Sequence, residues 1–358
     1  MSGYKRMEIY VIDRNVNILG IIASYDAIVW TTKLSEPGYF KASFLFTAEM
    51  NRILQLGNLL YKTDEKEPAI IRRRYLKLNK YGEETIEIQG YMASRFLNQR
   101  IIWSRLIMQG TSEDIMRKMV QDQIISPEME ERRIDRIQLG EKCGYVDSVE
   151  KQVTYDNLQE ALTDVANAAG LGYRLRLDLT EKIFLFEVYK GKDRTSGTAE
   201  PCVFSRTMLN VYTENYSEDD SNMRNVCLVG GVGEGENRRL VTVGKGDGFD
   251  RYEMFYNASG ISEENLTADQ YTAQLKQKGE EKLADCTIAK SFENRINQTK
   301  AEACELGDYV TCVDKDWGIM IDAQVKEIEK GFSKEEETLV ITFGDQAPTL
   351  IKLIKAMR

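Results

Sequence analysis

A β-rich α+β protein of more than one domain is the fold class that this sequence predicts, on three observations. Apolar and polar residues alternate through most of the first hundred positions and again from about 200 onward, the period-two pattern of half-buried strands. Between those blocks the apolar spacing lengthens to the helical period. The chain has 358 residues, which at roughly 150 per domain is two or three domains.

The elements follow in order. Ile28, Trp30, Thr32 and Leu34 fall on one side of a strand pattern, Phe40, Ala42, Phe44 and Phe46 on one side of the next, and the Pro37-Gly38 pair marks the turn between them. Ile86, Ile88 and Met92 repeat the alternation, with Gly90 inside the run. Short antiparallel strands must hide their edges, so this block is expected to close into a barrel or sandwich. Thr111, with Asp114 three residues on, opens a helix whose face is Ile115, Met116, Met119, Val120 and Ile124. After Pro127 the run EMEERRIDR reads as a solvated crossing. A second helix starts near Asp156, buries Leu158, Ala161, Leu162, Val165, Ala166 and Ala169, and stops at Gly170. Strands follow at 173–177 and 183–188, the second apolar on both faces and so placed centrally. Beyond 200, CVFS, NVCLVG, RRLVTVG and RYEMFY are strands, and Thr267 with Gln270 caps a third helix running into the 280s. The segments 309–313 and 319–325 flank the turn Asp314–Gly318, and Leu339, Ile341 and Phe343 make the last alternation.

Composition narrows the chemistry. There is no histidine, which removes Ser-His-Asp and Cys-His pairs, His-bearing metal sites and the usual neutral-pH general base. Lys+Arg is 48 and Asp+Glu is 57, a net charge of −9, unsuited to wrapping the outside of DNA. The six cysteines, at 143, 202, 227, 286, 304 and 312, form no C-x-x-C and read as small buried residues. The N-terminus carries no secretory h-region, and no stretch is long and apolar enough to span a membrane.

The motifs that suggest chemistry each have a plainer explanation. The cluster Gly230-Gly231-Val232-Gly233-Glu234-Gly235 is followed by strand formers, where a dinucleotide fingerprint needs a helix, so it reads as a glycine hairpin between strands. Asp314, Asp316 and Gly318 begin like a calcium loop, but glycine falls at the fifth place and Val325 at the twelfth, so a hairpin turn is expected. Arg72-Arg73-Arg74 lies in a strand from Ala69 to Leu78 and reads as a solvated or edge strand in preference to a nucleic-acid contact. Acid pairs such as Asp219-Asp220 or Glu302 with Glu305 would serve a glycosidase only across a cleft. Trp103 and Trp317 are candidate sugar platforms and, more plainly, packing residues. No catalytic, cofactor-binding or metal-ligating residue is assigned.

From 191 to 257 the order GKDRTSG, CVFSRTMLN, NVCLVGGVGEGENR, RYEMFYNA resembles a family of siphophage tail-tip structural proteins. PGYFKASF, IIRRRYLKLNKYGEETIEIQGYMASRFLNQRII and the C-terminal LGDYVTC and WGIMIDAQVKEIE extend the resemblance over nearly the whole chain. It implies a phage tail hub architecture, two tube-protein-like β-barrels with an inserted α+β domain. The first barrel would span 1–105, the α+β domain 106–200, the second barrel 201–345 with an inserted helix at 267–288, and a C-terminal docking segment 346–358. It further implies a homotrimeric structural protein without cofactor, assembled in the host cytoplasm into the virion's tail tip. There it would cap the tail tube as a ring, join tail-tip components and gate the DNA channel. Its partners would be a distal tail protein or tube ring, a tape-measure protein, and receptor-binding or lytic tail-tip proteins, with DNA only in transit. The competing readings are a cell-wall hydrolase and a carbohydrate-binding adsorption protein.

Overall fold

A computed structural model describes residues 8–103, 106–147, 149–264, 266–284, 286–297, 304–333 and 336–344. The chain divides into two units, Met1–Asn215 with Phe292–Phe343, and Tyr216–Ser291 with Gly344–Arg358. Among the described residues no helix is long and apolar enough to cross a membrane.

The larger unit is organised by a 14-stranded sheet. From one edge its main path runs Ile18–Ile22, Ile9–Ile12, Leu59–Lys62, Ala69–Leu78, Glu84–Met92, Tyr39–Leu45, Ala27–Lys33, Ile319–Ser333 and Glu337–Gly344. Ala289–Ile296 and Val211–Asp219 complete it; the second carries the chain out of this unit and the first returns it. Tyr309–Asp314 pairs with Ile319–Ser333 as the expected hairpin, and also takes Asp193–Arg194 and Val203–Phe204 in parallel.

The alternating N-terminal runs form strands as read. Trp30, Phe40, Ala42, Phe44, Ile86, Ile88 and Met92 are buried in one cluster, and the Trp30 and Phe40 rings lie 5.9 Å apart. Fully burying side chains of this size stabilises by about 1.5–3 kcal/mol each. Two glycines are required sterically. A Cβ on Gly38 would stand 2.0 Å from the Thr31 carbonyl oxygen, and one on Gly90 1.8 Å from that of Ile70. Past Trp30 the alternation departs from expectation: Thr31 is fully buried and Thr32 only half so. Ala27–Lys33 lies between Tyr39–Leu45 and Ile319–Ser333, and Thr31 Oγ1 donates to Glu329 Oε2 at 3.1 Å on that second neighbour.

A second core joins the helices Ser112–Val120 and Leu158–Ala169 to a three-stranded sheet of Gly172–Asp178, Ile183–Tyr189 and Ile137–Leu139. Both helices begin, and the second ends, where local chemistry directs. Thr111 Oγ1 accepts the Asp114 amide at 3.1 Å, Asn157 accepts the Gln159 amide at 3.0 Å, and Gly170 closes the second helix at φ 62°. Ile183–Tyr189 is the central strand, but only Phe184, Phe186 and Val188 are buried. Its other face carries Glu187, which receives Arg174 at 2.8 Å and Arg176 at 2.5 Å. Ile137–Leu139 and the ribbon of Leu106–Gly110 with Val149–Val153 are strands the sequence pattern did not announce.

The smaller unit is a three-stranded sheet, Leu240–Gly244, Val226–Gly230 and Glu253–Asn257, covered by the helix Ala268–Ala284. Thr267 and Gln270 cap that helix reciprocally, the expected pairing. Gly279 lets it approach the sheet, since a Cβ there would stand 2.5 Å from Val243 and 2.6 Å from Val229. The expected second barrel drew its strands from 201–257 and 305–343. In the structure the 226–257 strands make this separate sheet, while Val203–Phe204 and 309–344 belong to the large one. The segment between the two strands that bound it is therefore larger than the inserted helix expected at 267–288. The docking segment 346–358 lies outside the described residues.

Candidate functional site

A partly buried group of interacting charges in the larger unit forms where three segments meet: the turn Arg206–Met208, the strand Val211–Asp219 and the hairpin turn after Asp314. The turn residue Asp314 accepts the Trp317 amide at 2.8 Å, which closes the hairpin, and it accepts Arg206 Nε at 2.7 Å. Arg206 also stands 3.4 Å from Glu214 and 3.4 Å from Asp316, and its guanidinium lies 5.2 Å from the centre of the Trp317 ring. The side chains of Glu214 and Asp314 are each 1% exposed.

Two buried carboxyls in contact cannot both ionise cheaply. Burial, then the hydrogen bond and charge of Asp314, push Glu214 up to about 7, with Arg206 pulling the other way. Burial works against ionised Asp314 too, but the Trp317 amide, Glu214 and Arg206 hold it below the ordinary aspartate range. Glu214 therefore keeps its proton up to near neutrality beside an ionised Asp314. Glycoside hydrolysis needs two carboxyls facing each other across an open cleft, whereas both of these are buried beneath one arginine. The arrangement joins chain segments.

The other candidates resolve locally. The glycine cluster is the loop of an antiparallel hairpin, Gly230 opposite Leu240, with Arg238 donating to the Gly230 and Gly231 carbonyls at 3.2 Å each. Tyr271 Oη receives the Val232 amide at 2.9 Å, so this loop is tied to the helix Ala268–Ala284. The three arginines do not form one patch. Arg74 is turned onto the Asn51 carbonyl at 3.3 Å, Arg72 is half-buried, and Arg73 is exposed. Asp219 accepts the Ser221 amide at 2.8 Å, while Glu305 faces Lys66 at 3.8 Å. Glu302 lies outside the described residues. Among the described residues no group of three His, Cys, Asp or Glu side chains could hold a metal ion.

The sequence profile of the Siphovirus ReqiPepy6 Gp37-like protein family matches residues 7–345. The chain belongs to that family. Its fold is that of phage tail proteins with little sequence in common. It is similar to the tail protein from Neisseria meningitidis MC58, at 12% identity and TM-score 0.60, over 95% of this chain and 97% of that one. It is similar to the 43 kDa tail protein of prophage MuSo2 from Shewanella oneidensis, at 11% identity and TM-score 0.59, over 94% and 98%. It is similar to the prophage tail protein gp18 from Listeria monocytogenes EGD-e, at 12% identity and TM-score 0.55, over 98% and 99%. No curated protein sequence matches the chain.

In this Gp37-like protein the cysteines, all expected to be buried, divide: Cys202, Cys227 and Cys312 are buried, Cys286 and Cys304 half-buried, and Cys143 is exposed, in a loop beside the helix Ser112–Val120 whose Glu113 holds its amide. A hydrogen bond that the Cys304 thiol donates to Cys202, together with burial, pushes the Cys304 thiol up, and burial does the same to Cys312 and Cys227. Thiols so placed are poor nucleophiles. Trp103 and Trp317 are half exposed, each with an arginine over its ring, Arg132 at 4.6 Å and Arg206 at 5.2 Å. Sequence reasoning missed Glu113 and Glu214. Glu113 is fully buried and receives the successive amides of Cys143, Gly144 and Tyr145 at 2.7, 2.8 and 3.3 Å. The one available signal for Glu214 was its place at an inward position of VYTENYSED.

Proposed function

We propose that this protein is a structural tail hub: a homotrimer that caps the distal end of the tail tube as a ring, joins it to tail-tip components and gates the DNA channel. The observation that carries the reading is whole-chain agreement, in family and in fold, with phage tail proteins. The buried carboxyls Glu113, Glu214 and Asp314 support it, since each is engaged in joining distant segments of the chain. Two β blocks of the chain, about 1–105 and the 201–345 region, supply the repeated elements of the ring, and the protein works without cofactor. Its neighbours are a distal tail protein or tube ring above, a tape-measure protein, and receptor-binding or lytic components below.

Reconstruction of the intact particle, with copy number from quantitative mass spectrometry, tests the proposal. Three copies per tail at the distal end are expected. Absence from purified tails overturns it, as does clear lysis of peptidoglycan by the pure protein that a single Asp or Glu substitution abolishes.

A further inference from the structure

The strand Ala69–Leu78 is paired on both sides only at its start. Leu59–Lys62 accompanies it at Ala69 and Ile70, the register shifts between Ile71 and Arg73, and from Arg73 to Leu78 its only strand partner among the described residues is Glu84–Met92. This free edge is apolar. Tyr75 is 43%, Leu76 54% and Leu78 69% exposed, and Tyr81 in the turn is 77% exposed. Arg73, Lys80 and Lys77, the last paired with Glu87 at 2.6 Å, stand among them, and the segment from 73 to 80 holds no acid on a chain of net charge −9. A long unpaired edge of this composition is a template for another strand.

The same sheet ends elsewhere in an edge of opposite character. Val211–Asp219, nine residues reading VYTENYSED, has no neighbour on its outer side among the described residues. It holds no basic residue, exposes Tyr212 at 65% and Glu218, whose carboxylate meets Lys290 of the neighbouring strand at 3.0 Å, and continues into Asp219 and Asp220. Each edge repels its own kind, since like charges opposed across strands destabilise, and each complements the other. Pairing of unlike surfaces is head to tail, the mode that closes rings.

We propose that the Arg73–Leu78 edge of one copy adds to the Val211–Asp219 edge of a second copy, extending one sheet across the boundary. The inference rests on the ring reading above and names its interface. It commits to a second copy because the acidic, open-edged strand that fits the basic edge is on this chain.

The test places a photo-crosslinking phenylalanine at Leu78 in the full-length chain, with the fully exposed Val146 as control site. Irradiation of purified protein and of assembled tails is expected to give a species of twice the chain mass, with the crosslink in 211–219. Arg73→Glu and Glu218→Lys should each weaken self-association by about tenfold, and the double variant should recover it. Thermal melting of each variant confirms that it folds. A Leu78 crosslink elsewhere on a second copy, on another tail protein alone, or nowhere in either preparation overturns the proposal. So does failure of the double variant to recover. If the protein is absent from tails while the crosslink forms in solution, the hub reading fails and the edge pairing stands. If it is present in tails without the crosslink, only the edge pairing fails.

Discussion

Glu214→Gln separates the cost of a buried charge from the value of a buried hydrogen bond. In the folded chain Glu214 ionises near 7 against an ordinary value of 4.5. Between those values the unfolded chain releases a proton that the folded chain keeps. Stability from this site is therefore full at low pH, falls as pH rises, and levels off above 7. For one isolated carboxyl so displaced, the loss between pH 5 and pH 8 is about 2.5 kcal/mol. The glutamine amide fills the same space as the protonated acid, and it never ionises. Urea denaturation of both proteins at steps from pH 5 to pH 8 gives a stability difference at each step. The difference, variant minus wild type, should climb by about that amount, with its midpoint reporting the pair and not one residue. A flat difference would refute the retained proton and would mean that Glu214 is ionised throughout this range, held by Arg206.

Three further outcomes follow from the packing. Glu113→Ala orphans the amides of Cys143, Gly144 and Tyr145, so about 2–4 kcal/mol should be lost, and limited trypsin digestion should open the chain after Lys142. Lys62 is fully buried, its Nζ 5.3 Å from the Trp30 ring centre and 4.7 Å from that of Phe332; burial pulls its ammonium below the ordinary lysine range against Glu65 and Asp64. Because Lys330 still holds Glu65 at 2.7 Å, Lys62→Met should leave thermal stability within ~1 kcal/mol of wild type or above it. Gly38→Ala drives a Cβ to 2.0 Å from the Thr31 carbonyl and should cost about 3 kcal/mol or more in denaturant titration.

What the sequence made legible was what its residues decide with near neighbours. Helix ends at Thr111, Gly170 and Thr267 were readable because a cap is a contact over two to four positions. The faces Phe40, Ala42, Phe44 and Ile86, Ile88, Met92 were readable because pleating fixes them. The pairing of Ala27–Lys33 with Ile319–Ser333 was not, since it joins residues 298 apart, as Thr31 and Glu329 show, and no local preference encodes a partner that distant. The same limit hid the division of 226–257 from 309–344, because strand patterns alone do not say which sheet a strand joins. Glu113 and Glu214 look like any of 57 acids until the chain segments they bind are brought to them.

Buried carboxyls are used here in a consistent way. Glu67 lies between Leu59–Lys62 and Ala69–Leu78 and receives the amides of Ser94 and of Leu175, the latter at 3.2 Å, tying the N-terminal sheet to the α+β core. Burial pushes it up to about 7 against those two amides, as the Asp314 contact helps to do for Glu214. Each acid is held neutral chiefly by its own burial, in a cluster of its own, and the two share no partner. Glu67→Gln should therefore raise stability at pH 8 relative to pH 5, and the double variant with Glu214→Gln should show the sum of the single effects to within about 0.5 kcal/mol. Additivity would establish independent staples between segments, each contributing to a rigid building block. A double variant that departs from the sum by 1 kcal/mol or more would show the acids titrating as one network, and the separation of the clusters would then be the wrong account of why they are buried.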